Sequence, residues 1–362
     1  MMLRPDSYVP SLRWRQAEYQ ALLRLRDEAK DRIVPFIVVP KPEYDFEKKK
    51  MKKTVQEQVE PFAKQFKLKW GKRPAWIDMH PAIEMTRMQD GKLPMGHVFD
   101  ALQEIGSAAV PVVSPGSAND IIAIASAVVK RHGRGLGLRL RLEHMMRAGC
   151  AASLAEIMKS VAISPSAADL IIDLGAPNYE PYDEFSDALT AAIQNIGDLW
   201  AFRSFVLIGT AYPESLGSIE KPGGELPRHD WNFYKTLTGK LPTGGRRPNY
   251  GDYTIVPPSF SADIDFRKAK PAGKVVYTSG PKWMVRKGGA FNANRAQMHD
   301  HCDFILKSGA FRGADFSDGD DFIEKCGKRT AKPTSPTRWK EIGISHHIMQ
   351  VLEDLATPAA PA

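Results

Sequence analysis

Short apolar runs alternate with longer amphipathic stretches along this chain. Each apolar run ends at turn residues and precedes a stretch in which apolar positions recur every three or four residues. Runs so short and so uniformly apolar are typical of strands buried on both faces, as in a parallel sheet. Seven such strands are predicted, at residues 8–12, 33–39, 75–78, 109–113, 136–142, 170–174 and 202–208.

The stretches between these runs predict helices, and one of them, residues 47–66, is markedly basic. Asn119 and Asp120 are suited to cap the helix that follows them, because their short polar side chains accept free backbone N–H groups. The other helical stretches are residues 18–29, 153–158, 183–196, 297–306, 320–326 and 344–355.

The eighth strand is ambiguous in the sequence. Residues 213–250 are rich in glycine and proline and predict a long excursion, with a helix only at 230–237. Residues 253–256 and 274–277 then compete for the eighth strand, and 282–286 is a candidate to pair with one of them.

About eight strand-and-helix units favour a closed (β/α)8 barrel of the TIM type, with an open doubly wound sheet as the alternative. The barrel is preferred because no glycine-rich nucleotide-binding loop follows any strand. We predict one barrel-like domain over residues 1–356 and a disordered tail of small residues at 357–362.

A net charge of +8 and a pI of about 9.2 favour anionic partners. Three widely spaced cysteines indicate a reducing compartment, and no apolar run is long enough to cross a bilayer. We therefore predict a cytoplasmic protein that makes no membrane contact and binds an anionic small molecule, a nucleic acid or a partner protein. The lysines of residues 48–53 could contact phosphates, although such clusters are usually solvated helix faces.

Charged residues interrupt the apolar runs near the strand ends. An unpaired charge at such a position would cost several kcal/mol, so these side chains need partners. In one interpretation Arg139 or Arg141 binds an anion, while Glu143 and Asp173 act as acid, base or metal ligand. In the other interpretation an internal ion-pair network positions the strands. The residues in question are Asp78, Arg139, Arg141, Glu143 and Asp173.

The string from Arg247 to Tyr253 is the most distinctive local sequence. Asp252 lies close to Tyr250 and beside Tyr253, whose hydroxyl groups can donate to it. Asp252 is a candidate base or ligand, and Arg247 is a candidate anion clamp. Alternatively, the string is a tight turn that leads into a strand, with Asp252 bonded to backbone N–H groups.

His346 and His347 begin a predicted C-terminal helix. Adjacent helical residues point about 100° apart, so the two rings cannot readily share a metal ion. His346 is kept as a candidate catalytic residue; the alternative is that one ring packs inward and the other faces solvent. Residues 315–321 depart from the calcium-loop pattern and predict a solvated turn and helix cap. No metal and no cofactor is predicted.

Several of these strings, in this order, resemble the beta protein family, which is named for a protein of T-even phages. The resemblance adds Lys274 and Tyr277 to the candidate ligand-binding positions. It implies a phage or mobile-element setting linked to anti-phage defence, and it implies no particular reaction. The strings are Leu138-Arg139-Leu140, Ile172-Asp173-Leu174-Gly175, Tyr250-Gly251-Asp252-Tyr253, Lys274-Val275-Val276-Tyr277-Thr278, Ser317-x-Gly319-Asp320 and His346-His347-Ile348.

Three functions follow from these observations. The first is binding of an anionic ligand or protein partner at the polar mouth of a barrel. The second is a phosphodiester or nucleotide hydrolase that uses the strand-end carboxylates. The third is a structural or interaction protein without a ligand site. The first two require Arg141, Glu143, Asp173 and Asp252 to share one polar basin.

Overall fold

The computed structural model describes residues 3–242, 244–259 and 271–357. The strands in this part of the chain are β1 (Val9–Leu12), β2 (Phe36–Val39), β3 (Tyr44–Asp45), β4 (Lys50–Met51), β5 (Ala75–Met79), β6 (Ala109–Val113), β7 (Leu136–Arg141), β8 (Ala168–Asp173), β9 (Ser204–Gly209), β10 (Gly223–Pro227), β11 (Asn249–Asp252), β12 (Ala272–Ser279) and β13 (Lys282–Ala290).

Helices connect the strands and cover the outside of the sheet. They are α1 (Gln16–Arg24), α2 (Asp27–Lys30), α3 (Val55–Val59), α4 (Phe62–Lys69), α5 (Pro81–Glu84), α6 (Pro94–Glu104), α7 (Asn119–His132), α8 (Leu142–Met145), α9 (Cys150–Val161), α10 (Tyr182–Gln194), α11 (His229–Lys240), α12 (Gln297–Lys307), α13 (Asp318–Gly327) and α14 (Pro336–Ala356). Within the described ranges, none of them is long and apolar enough to span a bilayer.

Eight of the strands form a closed barrel in the order β1-β11-β9-β8-β7-β6-β5-β2. All eight neighbouring pairs run parallel. The prediction of a (β/α)8 barrel is confirmed, and the open sheet is excluded. In such a barrel the carboxyl ends of the strands meet on one face, which is the usual place for a binding site.

In six of the eight barrel strands, all but β7 and β11, alternate residues belong to two different apolar clusters. One set, which includes Phe36, Val38, Val112 and Ile171, fills the inside of the barrel. The intervening residues point outward and pack with the helices. Because both faces are buried, the strands read as continuous apolar runs in the sequence.

A polar network occupies the amino-terminal end of the barrel interior. The Trp76 indole N–H donates to Asp169 at 2.7 Å, and Asp169 also accepts from Arg203 and Ser204. Gly137 makes room for the Trp76 ring, since a Cβ at that position would lie 3.1 Å from it. This network closes the end of the barrel opposite the mouth.

The eighth barrel strand is β11, so both predicted candidates for it were wrong. Residues 253–256 follow β11, and 274–277 belong to β12 of a separate antiparallel sheet ordered β10-β13-β12. The pairing of 282–286 with 274–277 is confirmed. The string Asn249-Tyr250-Gly251 resembles a turn, but a Cβ on Gly251 would lie 2.7 Å from the Val9 carbonyl oxygen. A glycine is needed there so that two strands can approach.

The basic stretch 47–66 is also more divided than its periodicity suggested. Its first part lies in a two-stranded hairpin, β3–β4, and the rest forms α3 and α4 on either side of Pro61. At the other end of the chain, Thr357 follows α14 and its N–H donates to the Glu353 carbonyl. Residues 358–362 of the predicted tail lie outside the described residues.

Candidate functional site

The barrel mouth is built around the guanidinium group of Arg139. Arg139 and Asp173 lie on neighbouring strands, and both point into the barrel, as does Asp78 on β5. Arg139 Nη1 donates to Asp78 Oδ2 at 2.6 Å, and Arg139 Nε donates to Asp173 Oδ2 at 2.9 Å. The sequence therefore identified three side chains that the fold brings into direct contact.

The charge of Arg139 and the acceptor oxygens of Asp173 are satisfied within this cluster. The Tyr253 hydroxyl donates to Asp173 at 2.7 Å, and the Arg139 guanidinium lies 5.0 Å from the Phe36 ring centroid. Burial acts to lower the pKa of Arg139, but Asp173, Tyr253 and Asp78 outweigh it and raise that pKa above its ordinary value. Arg139 is thus a permanently charged, fixed group, and Asp173 has its acceptor positions occupied.

A cavity of about 430 Å³ opens above this cluster. Arg141 and Glu143 line it together with Arg139 and Asp173. The Arg141 side chain is 39% exposed, and its ion-pair contact to Glu143 is long, at 3.9 Å. Glu143 itself is 60% exposed at the rim. The positive charge of Arg141 is therefore neutralised far less by nearby carboxylates than that of Arg139, although the two residues lie on one face of the same strand.

His80 lies at the same cavity, directly after β5. Its pKa is lowered to about 4, first by burial and then by the positive charges of Lys41, Arg141 and Arg15. The Ala82 N–H donates to His80 Nδ1 at 3.0 Å, which places the imidazole hydrogen on Nε2. At neutral pH the cavity therefore contains an uncharged imidazole in a positive potential.

Asp252 lies in a different, fully buried network on the outer face of β11. It accepts hydrogen bonds from Tyr8, from Tyr250 at 3.0 Å, from the Thr254 N–H at 2.8 Å and from His347 Nε2 at 2.9 Å. The expectation that it shares a basin with Arg141, Glu143 and Asp173 is wrong. Successive strand residues face opposite ways, so Tyr253 reaches the mouth while Asp252 points away from it.

Both histidines of the C-terminal helix are completely buried, so the expectation that one faces solvent was wrong. His346 Nδ1 lies 2.9 Å from Asp320 Oδ2, and its ring stacks on Tyr277 at 3.7 Å. The Tyr277 hydroxyl donates to Asp320 at 2.7 Å. Asp320, which was expected in a solvated turn, is inaccessible to solvent. His347 Nδ1 lies 2.9 Å from the Thr278 hydroxyl oxygen, which links β12 to the Asp252 network.

The remaining predicted positions lie outside the mouth. Arg247 precedes β11 and lines a separate cavity with Trp231 and Tyr234, at the opposite end of the barrel. Lys274 is exposed on β12. Neither contacts the cluster of Arg139.

Sequence reasoning missed several residues of these two networks. His80 follows a predicted strand end and could have been found by that position. Tyr8, Arg228 and Asp230 gave no such signal, because their roles depend on which outer helix covers β11. The fully buried Arg228 lies 4.0 Å from Asp252 and donates to Asp354 at 2.8 Å. Within the described ranges, no cluster of histidine, cysteine or carboxylate side chains is placed to hold a metal ion.

A family model described as Beta protein matches residues 8–353. The chain belongs to the Beta protein family. The resemblance seen in the motifs is confirmed, and the GDY, KVVYT, SxGD and HH strings of this family member meet in the buried network between β11, β12, α13 and α14.

A search of curated proteins found no match. Among solved structures, the chain is similar to a triosephosphate isomerase from Bartonella henselae, at 10% identity and a TM-score of 0.35, covering 67% of this chain and 90% of that one. It is also similar to a trimodular GH5_4 endoglucanase, at 8% identity and a TM-score of 0.42, covering 81% of this chain and 75% of that one. Likenesses this distant say nothing about activity, and the barrel assignment rests on the strand order itself.

Proposed function

We propose that this member of the Beta protein family binds a small anionic ligand in the mouth cavity, with Arg141 as the principal cationic contact. The observation that carries the proposal is the contrast between two arginines on one strand. Arg139 is held by two carboxylates, whereas Arg141 is partly exposed and, among the described residues, its one ion pair is the 3.9 Å contact to Glu143.

The local electrostatics support an anion. Burial is the first cause of the lowered pKa of His80, and the charges of Lys41, Arg141 and Arg15 lower it further. An arginine fork can bind a carboxylate or phosphate group through two parallel hydrogen bonds. Arg141 would therefore recognise a ligand that carries at least one oxyanion.

The size of the cavity indicates a small molecule. A volume of about 430 Å³ lies in the range of roughly 300–1,000 Å³ that is usual for metabolite sites. We retain, as part of the same proposal, a cytoplasmic role in phage–host conflict, which rests on the family resemblance of the motifs.

A hydrolase is the second candidate, because Glu143 and Asp173 line the same cavity. Asp173, however, already accepts from Arg139, from Tyr253 and from the Gly175 N–H at 3.0 Å. A carboxylate with these partners is a poor base, so the hydrolase depends on Glu143. Release of product from a bound ligand would favour this candidate over simple binding.

The test is the melting temperature of the full chain against a panel of nucleotides and phosphorylated metabolites. A ligand at 100 times its Kd stabilises the folded state by about 2.7 kcal/mol, which corresponds to about 3–4 °C for a chain of this length. We expect at least one panel member to give such a shift, and Arg141→Met to abolish it. No shift with any ligand, or a shift that persists in Arg141→Met, would overturn the proposal.

A further inference from the structure

A second basic surface lies beside the mouth, on the hairpin β3–β4 that follows barrel strand β2. Residues 41–53 contain six lysines and three acidic residues. Lys48, Lys49, Lys50 and Lys53 are exposed, and none of these four forms an ion pair among the described residues. Lys52 pairs with Glu43 at 2.9 Å. Lysines outnumber acidic residues two to one on this hairpin, which leaves its tip with a net positive charge.

The hairpin is a defined structure. Asp45 Oδ1 accepts from the backbone N–H groups of Glu47 and Lys48 at 2.9 and 3.0 Å, and Asp45 pairs with Lys50 across the ladder. The turn also holds Lys49 in the left-handed region, at a φ of 49°. The lysines are thus presented by a fixed turn, so less conformational entropy is lost when a partner binds.

Aromatic rings lie among these lysines. Tyr44 and Phe46 are half-buried on the hairpin and pack edge to face, with ring centroids 4.9 Å apart. A cavity of about 250 Å³ lies at the base of the hairpin and is lined in part by Trp14, Tyr19 and Lys53. The buried Trp14 indole N–H has no acceptor in the described part of the chain.

Exposed cations interleaved with accessible rings are the combination that binds single-stranded nucleic acid, since phosphates meet the cations and unpaired bases stack on the rings. We propose that the hairpin β3–β4 binds single-stranded nucleic acid, with Lys48, Lys49 and Lys50 contacting phosphates and Phe46 stacking on a base. This surface is separate from Arg141 and does not depend on the function proposed for the mouth.

The test is fluorescence anisotropy of a labelled oligothymidine of roughly 20 nucleotides, measured with the full chain between about 50 and 200 mM salt. The hairpin variant is K48Q/K49Q/K50Q. The matched control is K130Q/K159Q/K307Q, which removes the same charge from three exposed lysines on α7, α9 and α12.

We expect the hairpin variant to weaken binding on the order of tenfold and to reduce the slope of log Kd against log salt by about 2, because each phosphate contact on a single strand contributes about 0.7. The control variant should bind like the wild type. Phe46→Ala should reduce the preference for the oligothymidine over a duplex of equal length while leaving the salt slope unchanged.

Three results would overturn the proposal. The first is a hairpin variant that binds like the wild type, and the second is a control variant that weakens binding equally, since net charge would then explain the effect. The third is equal binding of the duplex or of polyglutamate, because the rings would then have no part in recognition. Unchanged melting temperatures of the variants establish that each is folded.

Discussion

Replacing Asp252 with asparagine tests the buried network that joins the barrel to the C-terminal helix. The substitution keeps the shape of the side chain but removes its charge and turns one acceptor oxygen into a donor. Asp252 Oδ2 accepts from both Tyr250 and His347, and Oδ1 accepts from the Thr254 N–H. An amide nitrogen in the Oδ1 position would face the Thr254 N–H, and one in the Oδ2 position would require the Tyr250 hydroxyl and the His347 ring to accept instead of donate.

The expected cost follows from the complete burial of the site. Breaking a buried charged pair by removing one partner costs about 3–5 kcal/mol. For 362 residues that loss corresponds to a fall in melting temperature of about 4–7 °C, measured by calorimetry together with denaturant unfolding. The control is Asp187→Asn, because Asp187 is 70% exposed in a surface pair with Lys240 and its loss should change stability by less than about 0.5 kcal/mol.

The effect should also depend on pH in a defined direction. Burial opposes ionisation of Asp252, but His347 and Arg228 outweigh it and hold its pKa below the ordinary value. A depressed carboxyl pKa stabilises the folded state above about pH 4, and this contribution disappears as the pH falls through the folded-state pKa. The stability gap between wild type and Asp252→Asn should therefore narrow in acid. A gap below about 1 kcal/mol at neutral pH would refute the reasoning.

Two further predictions concern the barrel itself. The His80 imidazole, followed by NMR, should titrate near pH 4. Because its folded pKa is lowered, the stability it contributes is complete above about pH 6.5 and declines below it. A midpoint near 6.5 would contradict the burial of His80 beside the positive charges of Lys41, Arg141 and Arg15. Gly137→Ala places a Cβ 2.9 Å from Val112 Cγ2 and should cost about 1–3 kcal/mol in denaturant unfolding. Gly289→Ala, which would meet nothing within 4 Å, is the control, and equal stability of the two variants would show that the barrel interior is not tightly packed.

The barrel was predictable because strands buried on both faces leave a strong apolar signal. The mouth cluster was predictable for a related reason: Asp78, Arg139 and Asp173 are charges that interrupt such runs, and a buried charge requires a partner. The strand β11 was missed because Tyr250 and Asp252 are polar positions that face a buried network, which local sequence does not distinguish from a turn.

The surroundings of His346 and His347 could not be predicted from spacing. The helical spacing correctly predicted that the two rings point about 100° apart. Whether each ring is covered by protein or open to solvent depends on tertiary packing. Helix α14 packs on α1, α13 and β12, so both rings are covered. The same packing determines that Asp252 pairs with a helix nearly 100 residues away.

Calorimetric titration of pyrophosphate into the wild type, Arg141→Met and Arg295→Met tests the central claim most directly. Arg295 is exposed on the segment before α12 and lies outside the residues that line the mouth cavity. The account predicts saturable binding to the wild type and to Arg295→Met, and a loss on the order of tenfold or more in Arg141→Met. Absence of binding to the wild type, or equal binding to all three proteins, would contradict an anion site at the barrel mouth.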